Sequence, residues 1–180
     1  MIEPEHKLTP NFTFGELATT SHTSLIPSLR AEASKEPIIG RLRMLAELLQ
    51  GVRGLIGAPM RVTSGYRSVA LNRAIGGSSR RSQHMTGSAA DFVCPTGPPL
   101  DEVFAAIVQA MRDGSLPYPV GQAINERSGG AHWIHISLAN REGDPGGQVM
   151  TYDGRRYRLV ERIQQPHPAL QPVPIMRDDS

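Results

Sequence analysis

The chain has 180 residues, 39% of them hydrophobic, enough for one globular domain with a packed core and some tail. Its 19 Lys and Arg are interspersed with 17 acids and leave a formal charge of +2, which argues against a dedicated nucleic-acid surface. Cys94 is the one cysteine, so an intrachain disulfide and a cysteine-based zinc site are both excluded.

In chain order, residues 1–11 read as an extended segment. MIEPEHKLTPNF lacks the basic and apolar regions of a signal peptide. No apolar run approaches the length of a membrane span, so no membrane insertion is expected. The expectation is a protein made in the cytoplasm. Thr13-Phe14-Gly15-Glu16 matches a capping box, with Thr13 as N-cap and Glu16 reaching back. The following SHTSLIPSLRAEAS reads as irregular. From Glu36 a long helix is predicted, because Ile38, Leu42, Leu45, Leu49, Val52 and Ile56 recur at helical spacing. Pro37 suits its first turn and Gly57-Ala58-Pro59 ends it.

Met60–Ser64 alternates as a strand, and Ser68 caps a short helix through SVALNRAIGG. Arg73, Arg80 and Arg81 flank a Gly-Ser loop; without interleaved aromatics they read as a solvated loop and not as a nucleic-acid site. SAADFVCP reads as a strand with Cys94 a small buried residue at its end. Residues 99–112 form an amphipathic helix with Leu100, Val103, Phe104, Ile107, Val108 and Met111 on one face. VGQAINE and HWIHISLA read as two strands separated by Arg-Ser-Gly-Gly. MTYDGRRYRLV reads as a hairpin centred on a two-residue Asp153-Gly154 turn. Residues 164–180 are a Pro-rich arm. The order of elements predicts an α+β fold with a mainly antiparallel sheet flanked by helices, one domain spanning 12–163.

The stretch SQHMTGSAADF places His84 and Asp91 with small residues between them. A catalytic zinc site needs three protein ligands and accepts imidazole and carboxylate donors. Of the six histidines, His6 and His22 lie in the irregular N-terminal part and His167 sits between prolines in the arm. His84, His132 and His135 remain. In HWIHISLA, alternation sends the aliphatic Ile134, Ile136 and Leu138 to the core and turns His135 to the other side.

These residues resemble a known family. Ser82-x-His84-x-x-Gly87-x-Ala89-x-Asp91, followed by Trp133-Ile134-His135-Ile136-Ser137, is similar to the zinc D-Ala-D-Ala carboxypeptidases and phage peptidoglycan endopeptidases. Their fold is shared with the amino-terminal signalling domain of Hedgehog. Val62-Thr63-Ser64-Gly65-Tyr66-Arg67-Ser68 fits the family's arginine-bearing segment, and LTPNFTFGELA resembles the opening of its single-domain members. The likeness runs from about residue 8 to about 140.

The resemblance implies a zinc ion held by His84, Asp91 and His135, with Gly87, Ala89 and Ala90 leaving room for the two sides to meet. It implies a metallopeptidase acting on peptidoglycan stem peptides, in which zinc acidifies a water and polarises the scissile carbonyl. Many relatives place a glutamate three residues before the last ligand; here that position is His132, which becomes the first expectation for the general base. Strict alternation would turn His132 away from His135, but its place just after two glycines and an alanine leaves the parity open. Glu126, at the end of the preceding strand, is the competing base. Arg67 is expected to hold the substrate carboxylate or the developing oxyanion. Ser82 and Trp133 are candidates for contacting the peptide, and Ser137 and Gln122 for supporting a ligand.

Without a signal peptide, a wall-directed enzyme of this kind acts after phage lysis or as part of a virion tail. The N- and C-terminal arms are then the segments that would tie it to tail or baseplate proteins. The alternative is a wall-binding or structural virion component that keeps fold and metal without catalysis, a reading favoured by the missing glutamate before His135.

Overall fold

The computed structural model describes residues 2–75, 79, 81–139 and 146–166. The chain opens with two short antiparallel strands, β1 (Lys7–Thr9) and β2 (Phe12–Thr13). The N-terminal segment is tied into the domain by backbone bonds: Phe14 N–H donates to the His6 carbonyl at 2.8 Å and Gly15 N–H to the Pro4 carbonyl at 2.7 Å. The capping box forms at α1 (Phe14–Leu17). Glu16 N–H donates to the Thr13 hydroxyl at 3.2 Å, and Thr13 N–H donates to the Glu16 carboxylate at 2.7 Å. Two amides that a helix start leaves without partners are thereby satisfied.

SHTSLIPSLRAEAS differs from its irregular reading. It folds as a 3-10 turn (Thr23–Leu25) leading into α2 (Ile26–Ala33). The helical signal is thin because α2 buries only Leu29 and Ala33, one turn apart. Pro27 sits in its first turn, where a missing N–H costs nothing. The long helix α3 (Ile38–Ile56) buries Ile39, Leu42, Leu45, Ala46, Leu48, Leu49 and Val52. It ends on Gly57 in the left-handed region at φ 61°.

The remaining elements are β3 (Arg61–Ser64), α4 (Val69–Ala74), β4 (Ala89–Val93), α5 (Leu100–Asp113), β5 (Val120–Ser128), β6 (Ala131–Leu138), β7 (Gln148–Tyr152) and β8 (Tyr157–Arg162). Ser68 caps α4, its hydroxyl accepting from Leu71 N–H at 3.1 Å. The strands form one six-stranded sheet in the order β3-β4-β6-β5-β7-β8. All neighbours are antiparallel except β5 and β7, which run parallel. The architecture is α+β with a mixed, mainly antiparallel sheet.

Helices α3 and α5 pack on one face of the sheet, where Phe92, Ile134 and Ile136 are fully buried. Each such side chain stabilises the fold by about 1.5–3 kcal/mol through removal from water. Because side chains alternate, commitment of this face to the core turns Asp91 and His135 to the opposite face.

Two turns differ from their sequence readings. Ser128 pairs with Ala131, so β5 and β6 are joined by Gly129-Gly130 alone, at φ 57° and 83°. That is the two-residue turn whose twist matches antiparallel strands, and it draws Arg127 and Ser128 into β5. Between β7 and β8 the reverse holds. Tyr152 pairs with Tyr157, leaving a four-residue loop from Asp153 to Arg156 in place of the expected two-residue turn. The Asp153 carboxylate accepts from Arg155 N–H and Arg156 N–H at 3.0 Å each, which stabilises the longer loop.

At the C-terminal end, the Gln165 side chain accepts from Val120 N–H and donates to the Val120 carbonyl, both at 2.8 Å, docking the chain through Pro166. His167 and the rest of the Pro-rich arm lie outside the described residues, as does Arg80. Among the described residues no helix is long and apolar enough to cross a membrane.

Candidate metal centre

His84 is delivered by the 3-10 turn Gln83–Thr86, Asp91 by β4 and His135 by β6. Asp91 and His135 stand directly opposite in the β4–β6 ladder. The turn carrying His84 ends on Gly87 at φ 72°, a conformation that lets the chain swing back into β4 at once. All three side chains are buried, and one donor atom from each lies within 4.8 Å of the others. His135 Nδ1 is 2.8 Å from Asp91 Oδ1, His84 Nε2 is 3.3 Å from the same oxygen, and the imidazole centroids are 5.1 Å apart.

The far side of His84 fixes its proton. Its Nδ1 lies 2.8 Å from the Gly65 carbonyl, which can only accept, so Nδ1 carries a hydrogen and Nε2 is the nitrogen turned toward Asp91. Gly65 is required where it is. Tyr66 N–H donates to the Leu17 carbonyl at 2.8 Å, and a Cβ on Gly65 would fall 2.2 Å from that oxygen. Neither Gly65 nor its carbonyl was singled out from sequence, although the residue lies inside the Val62–Ser68 motif.

Burial alone would raise the Asp91 carboxyl; the charges and hydrogen bonds of His84 and His135 outweigh it and hold the group well below the ordinary carboxylate range. Arg67 adds a further contact, its Nη2 donating to Asp91 Oδ2 at 2.9 Å while its Nε donates to the Ser64 hydroxyl at 2.9 Å. A guanidinium held at two points is a rigid fork. Two imidazole nitrogens and an ionised carboxylate oxygen, convergent and oriented from behind, are a donor set that suits zinc.

The two candidate bases part company here. Glu126 lies on the site face of β5, opposite Trp133, two pairs along from Ile124 and His135. It is 6% exposed, and burial pushes its carboxyl from 4.5 up to about 6 against the charge of His135, with Asp91 adding to the rise. Its Oε2 accepts from the Tyr157 hydroxyl at 3.4 Å. His132 pairs with Arg127 and faces the other way. Its Nε2 is 2.6 Å from Asn125 Oδ1, and the Asn125 amide donates to Asp101 at 2.8 Å. Burial and the neighbouring Arg127 push the His132 imidazole below its ordinary value. The structure therefore does not bring His132 to the three donors. Strand parity turns His132, the first expectation for the base, away from the three donors and sets Glu126, its competitor, on their face.

Among the other candidates, Trp133 is half-buried on the site face. Ser82 heads the turn that carries His84, but its hydroxyl makes no capping bond and its carbonyl accepts from Met85 N–H at 3.1 Å. Ser137 accepts from Gln122 N–H at 2.9 Å and so secures the irregularity of β5 between Val120 and Ala123. The Gln122 side chain donates to Gln148 at 3.0 Å, away from the ligands it was expected to support. Tyr157 was missed because it lies far beyond the motifs, on a strand whose solvent-facing pattern carries no signal of a site.

Comparison with known proteins bears on this geometry. A protein-family model described as Peptidase M15 matches residues 10–137. No curated protein gives a significant match to the chain.

Proposed function

The chain belongs to the peptidase M15 family, and from that premise we propose that it is a zinc-dependent peptidase cutting peptide bonds in bacterial peptidoglycan. In this reading His84, Asp91 and His135 hold the metal, Glu126 is the general base and Arg67 the oxygen clamp. The observation that carries it is the convergence of three buried donor atoms within 4.8 Å on the sheet face that also presents Glu126. The wall as substrate rests on the likeness of the Ser82–Asp91, Trp133–Ser137 and Val62–Ser68 motifs to wall peptidases.

Bound zinc would supply a Lewis acid that polarises the scissile carbonyl and lowers the pKa of the attacking water. The Glu126 carboxylate takes the proton of that water and passes it to the leaving nitrogen, so the new C–O bond and the broken C–N bond balance as one hydrolysis. A carboxyl near 6 suits both halves of this shuttle, being ionised at neutral pH yet able to hold the proton in passing. The Arg67 fork, anchored on Asp91 and Ser64, offers its positive charge to the carbonyl oxygen as negative charge develops. Gly65 keeps His84 in the tautomer that presents Nε2.

The competing reading of a wall-gripping component without catalysis drew on the missing glutamate before His135. With Glu126 facing the three donors that motive no longer applies. Purified protein assayed on purified cell walls, with and without a chelator, tests the proposal. Release of peptide fragments, abolished by the chelator and restored by zinc, is expected; walls left intact by the zinc-loaded protein would overturn it.

A further inference from the structure

The β7–β8 hairpin lies beyond the family-matched residues, which end at 137, yet it builds part of the site face. Met150 pairs with Ile124 and Tyr152 with Glu126 on β5. Leu159 pairs with Met150, and Tyr157 with Tyr152, on β8. Paired residues share a face, so these four side chains continue the surface that carries His135 and Glu126. The two tyrosine rings stack with centroids 4.4 Å apart and planes 24° apart. The Tyr157 hydroxyl reaches Glu126 Oε2 at 3.4 Å, so platform and base are continuous. The platform is open to solvent, with Tyr157 54% and Leu159 56% exposed.

We propose that this hairpin is the subsite for the amine side of the scissile bond, and that the chain is an endopeptidase whose leaving group is a peptide longer than one residue. The inference rests on the reading of Glu126 as base. A group that returns its proton to the leaving nitrogen must come within roughly 2.6–3.2 Å of it. On the side away from the three donors, the chain continuing from that nitrogen passes over what flanks the Glu126 carboxylate there, the Tyr152–Tyr157 pair. Here the face runs on across β7 and β8, a span of about 10 Å at the usual strand spacing, room for about three extended residues. Stacked tyrosines suit such a role, since an apolar ring supports the chain and the hydroxyl serves as a polar handle. Among wall bonds this selects those whose amine side continues, as at L-Ala-D-Glu or a cross-link, over terminal D-Ala-D-Ala.

The test uses the zinc-loaded full chain and two synthetic stem peptides with the same acyl side, one leaving a single D-Ala and the other leaving a tripeptide. The expected kcat/KM ratio favours the longer leaving group by about tenfold or more, the scale of one or two good aromatic contacts. Tyr157→Ala should shrink that ratio to about threefold or less through KM, while Tyr157→Phe, which keeps the ring, retains most of it. Leu159→Ser, at an exposed position that folding tolerates, should also reduce the ratio. Independently of turnover, the leaving tripeptide alone is titrated against the fluorescence of Trp133, the one tryptophan of the chain. Saturable binding weakened by Tyr157→Ala is expected. Equal cleavage of both peptides, a ratio unchanged in the variants, or tripeptide binding indifferent to Tyr157 would overturn the proposal. Failure to cleave either peptide would count against the peptidase reading, and the titration would still decide the subsite.

Discussion

Replacing Glu126 by Gln separates the charge of this residue from its shape. The native pKa is raised from 4.5 to about 6, first by burial. A carboxyl whose pKa rises on folding binds its proton more tightly in the native state. The associated stability is present in full below about pH 4.5 and is lost as pH rises through about 6. At about 1.4 kcal/mol for each unit, the ionised carboxylate costs the metal-free protein about 2 kcal/mol at neutral pH. Glutamine keeps the size and can still accept from Tyr157, but carries no charge to desolvate. Relative to wild type, metal-free Glu126→Gln should therefore gain about 2 kcal/mol between about pH 4 and about pH 7.5, roughly 4–8 °C in Tm for a domain of this size. Urea or thermal unfolding of both proteins in chelator at the two pH values reads this difference. The same variant loaded with zinc should bind the metal normally and lose about 10²–10⁴-fold in kcat. A stability gap that does not move with pH would refute the buried ionised carboxylate, and near-normal turnover would remove Glu126 as base.

His84→Ala and His135→Ala should each abolish stoichiometric zinc, measured by metal analysis of the purified protein; unchanged zinc content would refute the ligand assignment. His132→Ala should keep turnover within a few-fold and lose about 1–3 kcal/mol of stability in urea unfolding, because buried Asn125 loses its 2.6 Å partner. Arg67→Lys should keep its metal yet recover little of the activity lost in Arg67→Ala, since an ammonium cannot span both Ser64 and Asp91. Activity of the zinc-loaded enzyme should fall with acid as Glu126 gains a proton, with its midpoint at about pH 6 or lower because a nearby cation favours the carboxylate; a pH profile of kcat/KM checks it.

Much of the fold was legible where one residue type repeats a period. The leucines and isoleucines of α3 and the capping pair Thr13 and Glu16 stand where their spacing places them. α2 was illegible because two buried side chains, Leu29 and Ala33, make too short a stripe to establish a period. The β7–β8 loop was misjudged because Asp153-Gly154 looks like a two-residue turn, whereas the Asp153 carboxylate captures two amides further on and lengthens it. The three donor residues were visible through motif likeness. Their orientation was not, because the Gly65 carbonyl behind His84 and the Ser64 hydroxyl behind Arg67 act through contacts that only the folded chain makes.

The proposed base shows why one turn can govern a catalytic assignment. From sequence, an irregular entry to HWIHISLA would have let His132 reach the side of His135. The Gly129-Gly130 pair instead closes a two-residue turn, which sets the β5–β6 ladder in register from Ser128 and Ala131 onward. With no bulge between Ala131 and His135, residues 132 and 135 are three apart and must face opposite ways, while Glu126 opposite Trp133 must share the face of His135. His132 is then free to pair with Asn125, whose amide donates on to Asp101 on the helix side, a polar cluster that pins the start of α5 to the strands behind the site. Inserting one residue between Gly130 and Ala131 would lengthen the turn without moving β6, whereas an insertion between His132 and Trp133 would have to be absorbed as a bulge inside the ladder. The first variant should keep zinc and activity within a few-fold and the second should lose activity. Equal tolerance of both would mean that register does not hold Glu126 in place.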